Sequence, residues 1–179
     1  MTYDDILSFW FEELESKKWF KVDENLDKKI RDRFLNIHSS AVSGELFSWR
    51  ETITGRLAEI IIVDQFSRNM FRGSPGAFAH DSIALVLSQE AVRTGLNMDL
   101  EPSKRAFLYL PFMHSESKSI HVEAVNLFSQ EGLEFHLKYE MKHKEIIDRF
   151  GRYPHRNEIL GRKSTDEEVE FLKQPGSSF

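Results

Sequence analysis

The sequence predicts an all-α protein, its helices stacked as antiparallel neighbours in either an irregular bundle or a short solenoid of helix pairs. Three observations carry this expectation. Apolar residues recur at spacings of three and four from one end of the chain to the other, the period of an amphipathic helix. Alternation of period two is absent, as are the Asn-Gly and Asp-Gly pairs that close hairpins. Fifteen Phe and three Trp in 179 residues offer large rings, rather than β-branched residues, for the core, which suits helix-on-helix packing.

The first helix is expected over about residues 3 to 15. Thr2 and Asp5 form a capping-box pattern, and Ile6, Phe9, Trp10 and Leu14 follow at helical spacing. Trp19 and Phe20 fall in the connection to a second helix, from about Asn25 to Ser43. There Leu26, Ile30, Phe34, Ile37 and Ala41 are separated by steps of four, four, three and four, and Gly44 stands where a C-terminal cap belongs. Thr54 is the expected cap of a third helix, which carries Leu57, Ile60 and Ile61 and then Asp64 to Phe71, and is closed by Gly73. Ser74 as cap and Pro75 as first residue would begin a fourth that runs to Gly95.

Pro102 opens a fifth, AFLYLPFMH, which Pro111 should kink or end near His114 because proline brings no backbone donor. A sixth covers about 117–130 through Ile120, Ala124, Leu127 and Phe128, and a seventh, EFHLKYEMKHKEIIDRF, reaches Gly151. Pro154 disfavours helix at Tyr153, and Asn157 to Leu160 reads as a single turn. In STDEEVEFL, Ser164 or Thr165 caps a last helix whose first turn carries acids, favourable at the positive helix end. One all-α domain over 1–179 is expected, with 172–179 a frayed tail.

Composition narrows the function classes. A net charge of −5 and a pI near 5.8 argue against a surface built to hold nucleic acid, because phosphate affinity needs accumulated Lys and Arg. No stretch approaches the roughly 20 apolar residues that span a bilayer. MTYDDILSFWFEELESKK starts with acids where a secretory signal carries Lys or Arg, so a cytoplasmic protein is expected. Zero Cys removes disulfides, thiolate nucleophiles and Cys-rich zinc sites together.

Three stretches gather polar residues among apolar ones: DQFSRNMFRG (64–73), PFMHSES (111–117) and GRYPHRNEILGR (151–162). They supply Asp64, Gln65, Arg68, Asn69, Arg72, Arg152, Arg156, Asn157 and Arg162 as candidate ligand-binding residues, and His114, Glu116 and His155 as candidate acid–base residues. A guanidinium stays ionised at physiological pH and is costly to bury unpaired, so each must meet water, a carboxylate of the same chain or a bound anion. In a structural reading Arg68, Arg72, Arg156 and Arg162 fork onto Asp64, Asp81 and Glu116. In a functional reading two or three of them point into a cleft and hold a phosphate or carboxylate. His114 and Glu116 stand two residues apart and would face different sides of a helix, so their direct pairing needs a break near Pro111.

Other chemistry lacks its motif. His136 and His143, seven apart, share a helix face expected to be solvated, no HExxH occurs, and no metal is expected. GSPGAF lacks the GxGxxG spacing, and GxxxxGK[ST] and GxSxG are missing, so no cofactor is expected either. The rings of Phe9, Trp10, Phe34, Phe66, Phe71, Phe78, Phe107 and Phe112 read as core.

In WFKVDENLDKKIRDRF, GELFSWRETITGRLAEIIIVDQFSRNMFRGSPGAFAHD, RAFLYLPFMHSES and FGRYPHRNEILGRKSTDEEVEFL, the chain resembles a bacterial family, domain of unknown function 924. The resemblance implies a tetratricopeptide-like array of antiparallel helix pairs, an α/α superhelix or irregular bundle of about seven to nine helices. The tetratricopeptide signature spacing itself is not present. No assigned activity, substrate or cofactor comes with the family. Its signature falls here on the twelve candidate residues above together with Gly151 and Gly161. Tyr153 stands where Phe is usual, which adds a hydroxyl.

The functional expectation is a polar cleft that binds a small anionic ligand or the carboxylate of a peptide. One alternative is a hydrolase or transferase acting on an anionic small molecule, with His114 or His155 as acid or base, Glu116 or Asp64 as its orienter, and Arg68 and Arg156 stabilising charge. Another is a scaffold in which all these residues are structural. The first two require the 68–72 and 152–162 segments to meet beside His114.

Overall fold

The computed structural model describes residues 1–178, with Phe179 outside the described residues. Eight helices and no strand occur among the described residues. α1 starts as Tyr3–Ser8 and continues in a π-helical turn, Phe9–Glu13, and α2 is Glu24–Val42. α3 runs from Ile53–Ile61 through a π-helical turn, Ile62–Phe66, to Ser67–Met70. α4 is Asp81–Arg93, α5 Pro102–Met113, α6 Lys118–Phe128, α7 Glu134–Phe150 and α8 Asp166–Leu172.

Local chemistry accounts for most of these limits. Thr2 with Asp5 and Thr165 with Glu168 form complete capping boxes, each satisfying two otherwise orphaned N–H groups. α3 is capped by Thr52, whose hydroxyl accepts from the Gly55 N–H at 3.0 Å, and not by Thr54. Ser74 donates its hydroxyl to the Phe71 carbonyl instead of capping, so Pro75 opens only a short 3-10 turn, Pro75–Ala77, and α4 begins six positions later than Pro75. Pro111 sits in the last turn of α5, which ends at His114 as its C-cap.

α3 is the hub of the molecule, packed against α1, α2, α4 and α5. Its sequence explains this. From Leu57 to Phe66 no residue is more than 6% exposed, and seven of the ten are apolar and spread round the helix, so it must be enclosed on all sides. The rings of α1, α2 and α3 interlock there, with Phe9 and Phe34 centred 4.7 Å apart and Phe34 and Phe66 4.9 Å apart. Trp10 meets Phe107 of α5 edge-on at 5.6 Å. Phe78 stays half-buried outside this core.

α5, α6 and α7 pack as successive neighbours. At Gly151 the backbone takes the left-handed conformation (φ 69°), which turns the chain out of α7 and back towards the end of α5. Tyr153 is fully buried there, and its hydroxyl donates to the Met113 carbonyl at 2.5 Å. The hydroxyl that distinguishes Tyr from Phe thus ties the 152–162 segment to the C-terminus of α5. At the other end of the described chain, Ser177 is buried and donates to the Leu172 carbonyl. No helix among the described residues is long and apolar enough to cross a membrane.

Candidate functional site

An enclosed central helix cannot leave polar side chains unpartnered, because a buried unpaired group costs on the order of 1–3 kcal/mol. Glu59, Asp64 and Ser67 of α3 are each essentially inaccessible, and each has a partner. Glu59 accepts both arms of Arg50 at 2.7 Å. Ser67 donates to the Val63 carbonyl, so the 2.8 Å contact between its oxygen and His38 Nε2 uses the imidazole N–H as donor.

Asp64 makes the largest set of contacts. It lies in the π-helical turn, where one extra residue per turn re-aims side chains that a regular helix would point elsewhere. Its Oδ1 is 2.8 Å from His114 Nδ1 and 3.0 Å from an Arg68 nitrogen, and its Oδ2 accepts from Gln65 at 2.6 Å. Burial opposes its ionisation, yet Arg68 and His114 hold its carboxyl well below the usual carboxylate range. An ionised carboxylate only accepts, so His114 Nδ1 carries the proton. Burial and the Arg68 guanidinium push the His114 pKa below its usual value against the pull of Asp64, which leaves the ring neutral. Nε2 then holds a lone pair. It has no partner among the described residues, and with 15% of the side chain accessible it reaches solvent.

Arg68 extends from Asp64 to Asp81, the first residue of α4, donating to both carboxylate oxygens at 2.9 and 3.1 Å. Arg156, from the distant 152–162 segment, donates to the same Asp81 at 3.0 Å and to the His114 carbonyl at 3.1 Å. Its guanidinium is stacked against both Phe78 and Tyr153, at 4.5 and 4.7 Å from the ring centres. Its Nε is buried without an acceptor. The two guanidinium-bearing segments therefore do meet beside His114, with Asp81 between them.

The other expected residues form two adjoining networks. Glu116 accepts both arms of Arg162 at 2.6 and 2.9 Å and the Tyr153 N–H at 2.7 Å, so it does not orient His114. Asn157 links Arg162 to Glu168, and Glu168 takes Arg152 in a fork at 2.6 and 2.7 Å. The ring of His155 lies 5.5 Å from that of Tyr153, and burial pushes its pKa down to about 4. Asn69 and Arg72 turn away to Asp27 of α2, at 2.8 Å and at 2.6 and 3.0 Å, apart from the Arg68 cluster.

Asp81 was visible in the sequence only as an ion-pair partner, and Asp27 and Glu168 not at all. All three are acids in the first turn of a helix, a common placement that carries no local signal of a distant arginine. His143 is buried rather than solvated, because that face of α7 packs on Tyr153. Two open recesses on the surface lie beside the start of α2, lined by residues such as Asn25, Lys28 and Lys29, and neither takes in a residue of the cluster. Among the described residues no three His, Cys, Asp or Glu side chains come together as a metal site would require.

The family model of bacterial proteins of unknown function, domain 924, matches residues 6–176. The chain belongs to this family. It is also similar to a solved protein of unknown function from Agrobacterium tumefaciens, 37% identical over 96% of each chain, with a TM-score of 0.91. No curated protein matches the chain. The family match takes in all three polar segments, so the Asp64, His114 and Arg156 cluster lies within the family domain.

Proposed function

We propose that the Asp64–His114 pair is an acid–base centre acting on a small anionic molecule, in the manner of a hydrolase or transferase. The observation that carries this reading is the pair itself. A buried carboxylate fixes one ring nitrogen of a neutral histidine at 2.8 Å and leaves the opposite nitrogen its lone pair, while Arg68 bonds to the same carboxylate and Arg156 to the histidine's backbone carbonyl. Nε2 can take a proton from a substrate hydroxyl, amine or water, and Asp64 then stabilises the imidazolium that results. In this reading Arg68 and Arg156, bonded to Asp64 and to the His114 carbonyl, favour negative charge on the substrate. The π-helical turn at Asp64 fits this reading, since such turns recur at functional positions.

The test is a screen of phosphorylated metabolites, carboxylates and peptides for both thermal stabilisation and product formation. A ligand that binds the native state raises its stability by mass action. His114→Gln should stay folded and keep that stabilisation while product formation disappears. Equal turnover by His114→Gln and the parent would end the reading.

A second reading has its own observation: Arg68, Arg72, Arg152, Arg156 and Arg162 each end on a carboxylate of the chain, and in this reading the clusters only tie helix ends together. It expects His114→Gln to lower stability and no compound in the panel to shift the melt.

A further inference from the structure

Asp81 is an unusual member of the cluster. Its carboxylate accepts three charged hydrogen bonds, two from Arg68 and one from Arg156, yet its side chain is 19% accessible, against 1% for Asp64. Each guanidinium has further partners besides it. Arg68 is held as well by the Asp64 carboxylate at 3.0 Å and the Asp64 carbonyl at 3.1 Å. Arg156 is held by the His114 carbonyl at 3.1 Å and by the two rings that flank it.

The charges sum in a telling way. Asp64 and Asp81 contribute two negative charges, Arg68 and Arg156 two positive ones, and His114 is neutral. Without Asp81 the cluster keeps one surplus positive charge and three N–H donors aimed at the place of two coplanar oxygens. A buried Nε on Arg156, with no acceptor, adds one further unmet donor.

We propose that Asp81 occupies the place of a substrate carboxylate, and that a small monocarboxylate binds by displacing it into solvent. The proposal rests on the acid–base reading of His114 for its functional meaning and names the substrate class of that site. Fork geometry favours a carboxylate, because Arg68 already meets both oxygens of a planar group. Charge favours a monoanion, since a dianionic phosphate would leave one uncompensated negative charge in a mostly enclosed site. Asp81 can leave because it opens α4 directly after the 71–80 connection, and in either position it stays beside the positive end of that helix.

The experiment titrates acetate, and separately inorganic phosphate, at constant ionic strength into the full chain. It follows the Arg156 Nε–Hε resonance and the melting temperature. Asp81→Asn should bind acetate at least tenfold more tightly than the parent, because the internal competitor has lost its charge, and phosphate should show no comparable gain. Adding Arg156→Gln to Asp81→Asn should abolish the gain. Equal acetate affinity in parent and Asp81→Asn, a gain that survives Arg156→Gln, or an equal gain for phosphate would each overturn the proposal.

If Asp81→Asn unfolds in plain buffer, acetate but not chloride at equal ionic strength should restore its melt, and restoration by both would overturn the proposal. Asp81→Asn in a His114→Gln background keeps the two ideas separable. The acetate gain should persist there, whereas failure of the acid–base reading appears only as turnover that His114→Gln does not reduce.

Discussion

His114 Nδ1 lies 2.8 Å from Asp64 Oδ1, joining the C-cap of α5 to the π-helical turn of α3 across fifty positions of sequence. Asp64 is 1% accessible and its partners include the Arg68 cation, so removing its charge strands a guanidinium that has lost one of two carboxylates. Asp64→Asn should cost about 3–5 kcal/mol of stability, the range for breaking a buried pair from one side. Urea unfolding measures it. A cost under about 1 kcal/mol would mean that Asp64 contributes little to the fold.

Arginine identity should matter in proportion to burial. Arg156 is 7% accessible in its side chain, bridges Asp81 and the His114 carbonyl, and lies against two rings, whereas Arg72 is 38% accessible on Asp27 alone. An ammonium cannot span the two acceptors or stack as a guanidinium does. Arg156→Lys should therefore cost about 2 kcal/mol and Arg72→Lys under about 1 kcal/mol, compared by denaturant midpoints. Equal costs would contradict the geometry described above.

Acid should weaken the protein before the carboxylates titrate. Burial pushes His38 down to about 4 and His143 to about 3, and burial with the neighbouring Arg156 pushes His155 to about 4, against an ordinary value of 6.5. The unfolded chain thus binds protons that the folded chain refuses. The stability these residues contribute is fully present above pH 6.5 and is lost as the pH falls towards 4 and then 3. Unfolding free energy measured at half-unit steps from pH 7.5 to 5 should fall with a slope that flattens in His38→Gln and in His143→Gln. A flat profile over that window would refute the assignment.

Two glycines should separate steric from conformational demand. A Cβ on Gly55 would stand 2.0 Å from the Trp49 carbonyl oxygen, a contact that only backbone movement relieves. Gly151 has open space around it and needs glycine only for its φ of 69°. Gly151→Ala should cost about 1 kcal/mol, and Gly55→Ala considerably more, as read from thermal melts of the two variants. The reverse order would count against the tight passage of α3 past Trp49.

Much of the helical plan is legible without coordinates. Capping boxes at Thr2 and Thr165, the steps of α2, and the unbroken run of α7 up to Gly151 are patterns within three or four residues, and such patterns act on the backbone locally. The pairing of Arg68 and Arg156 with Asp81, and of Arg162 with Glu116, is legible as a possibility from charge alone, because a buried guanidinium requires an anion. The start of α4 is not, since the Ser74 hydroxyl can either cap a helix or bond the Phe71 carbonyl, and the residues around it favour neither.

The sequence by itself determined that this chain folds as stacked helices and that its arginines need carboxylates or an anion. Only the tertiary structure decided which acid each arginine meets, and that Asp64, not Glu116, orients His114. The reason is physical: helix periodicity and capping are properties of neighbours along the chain. The choice of partner for a buried charge depends on how α3, α4, α5 and the segment after α7 pack, and the π-helical turn that aims Asp64 at His114 left no recognised mark in the sequence.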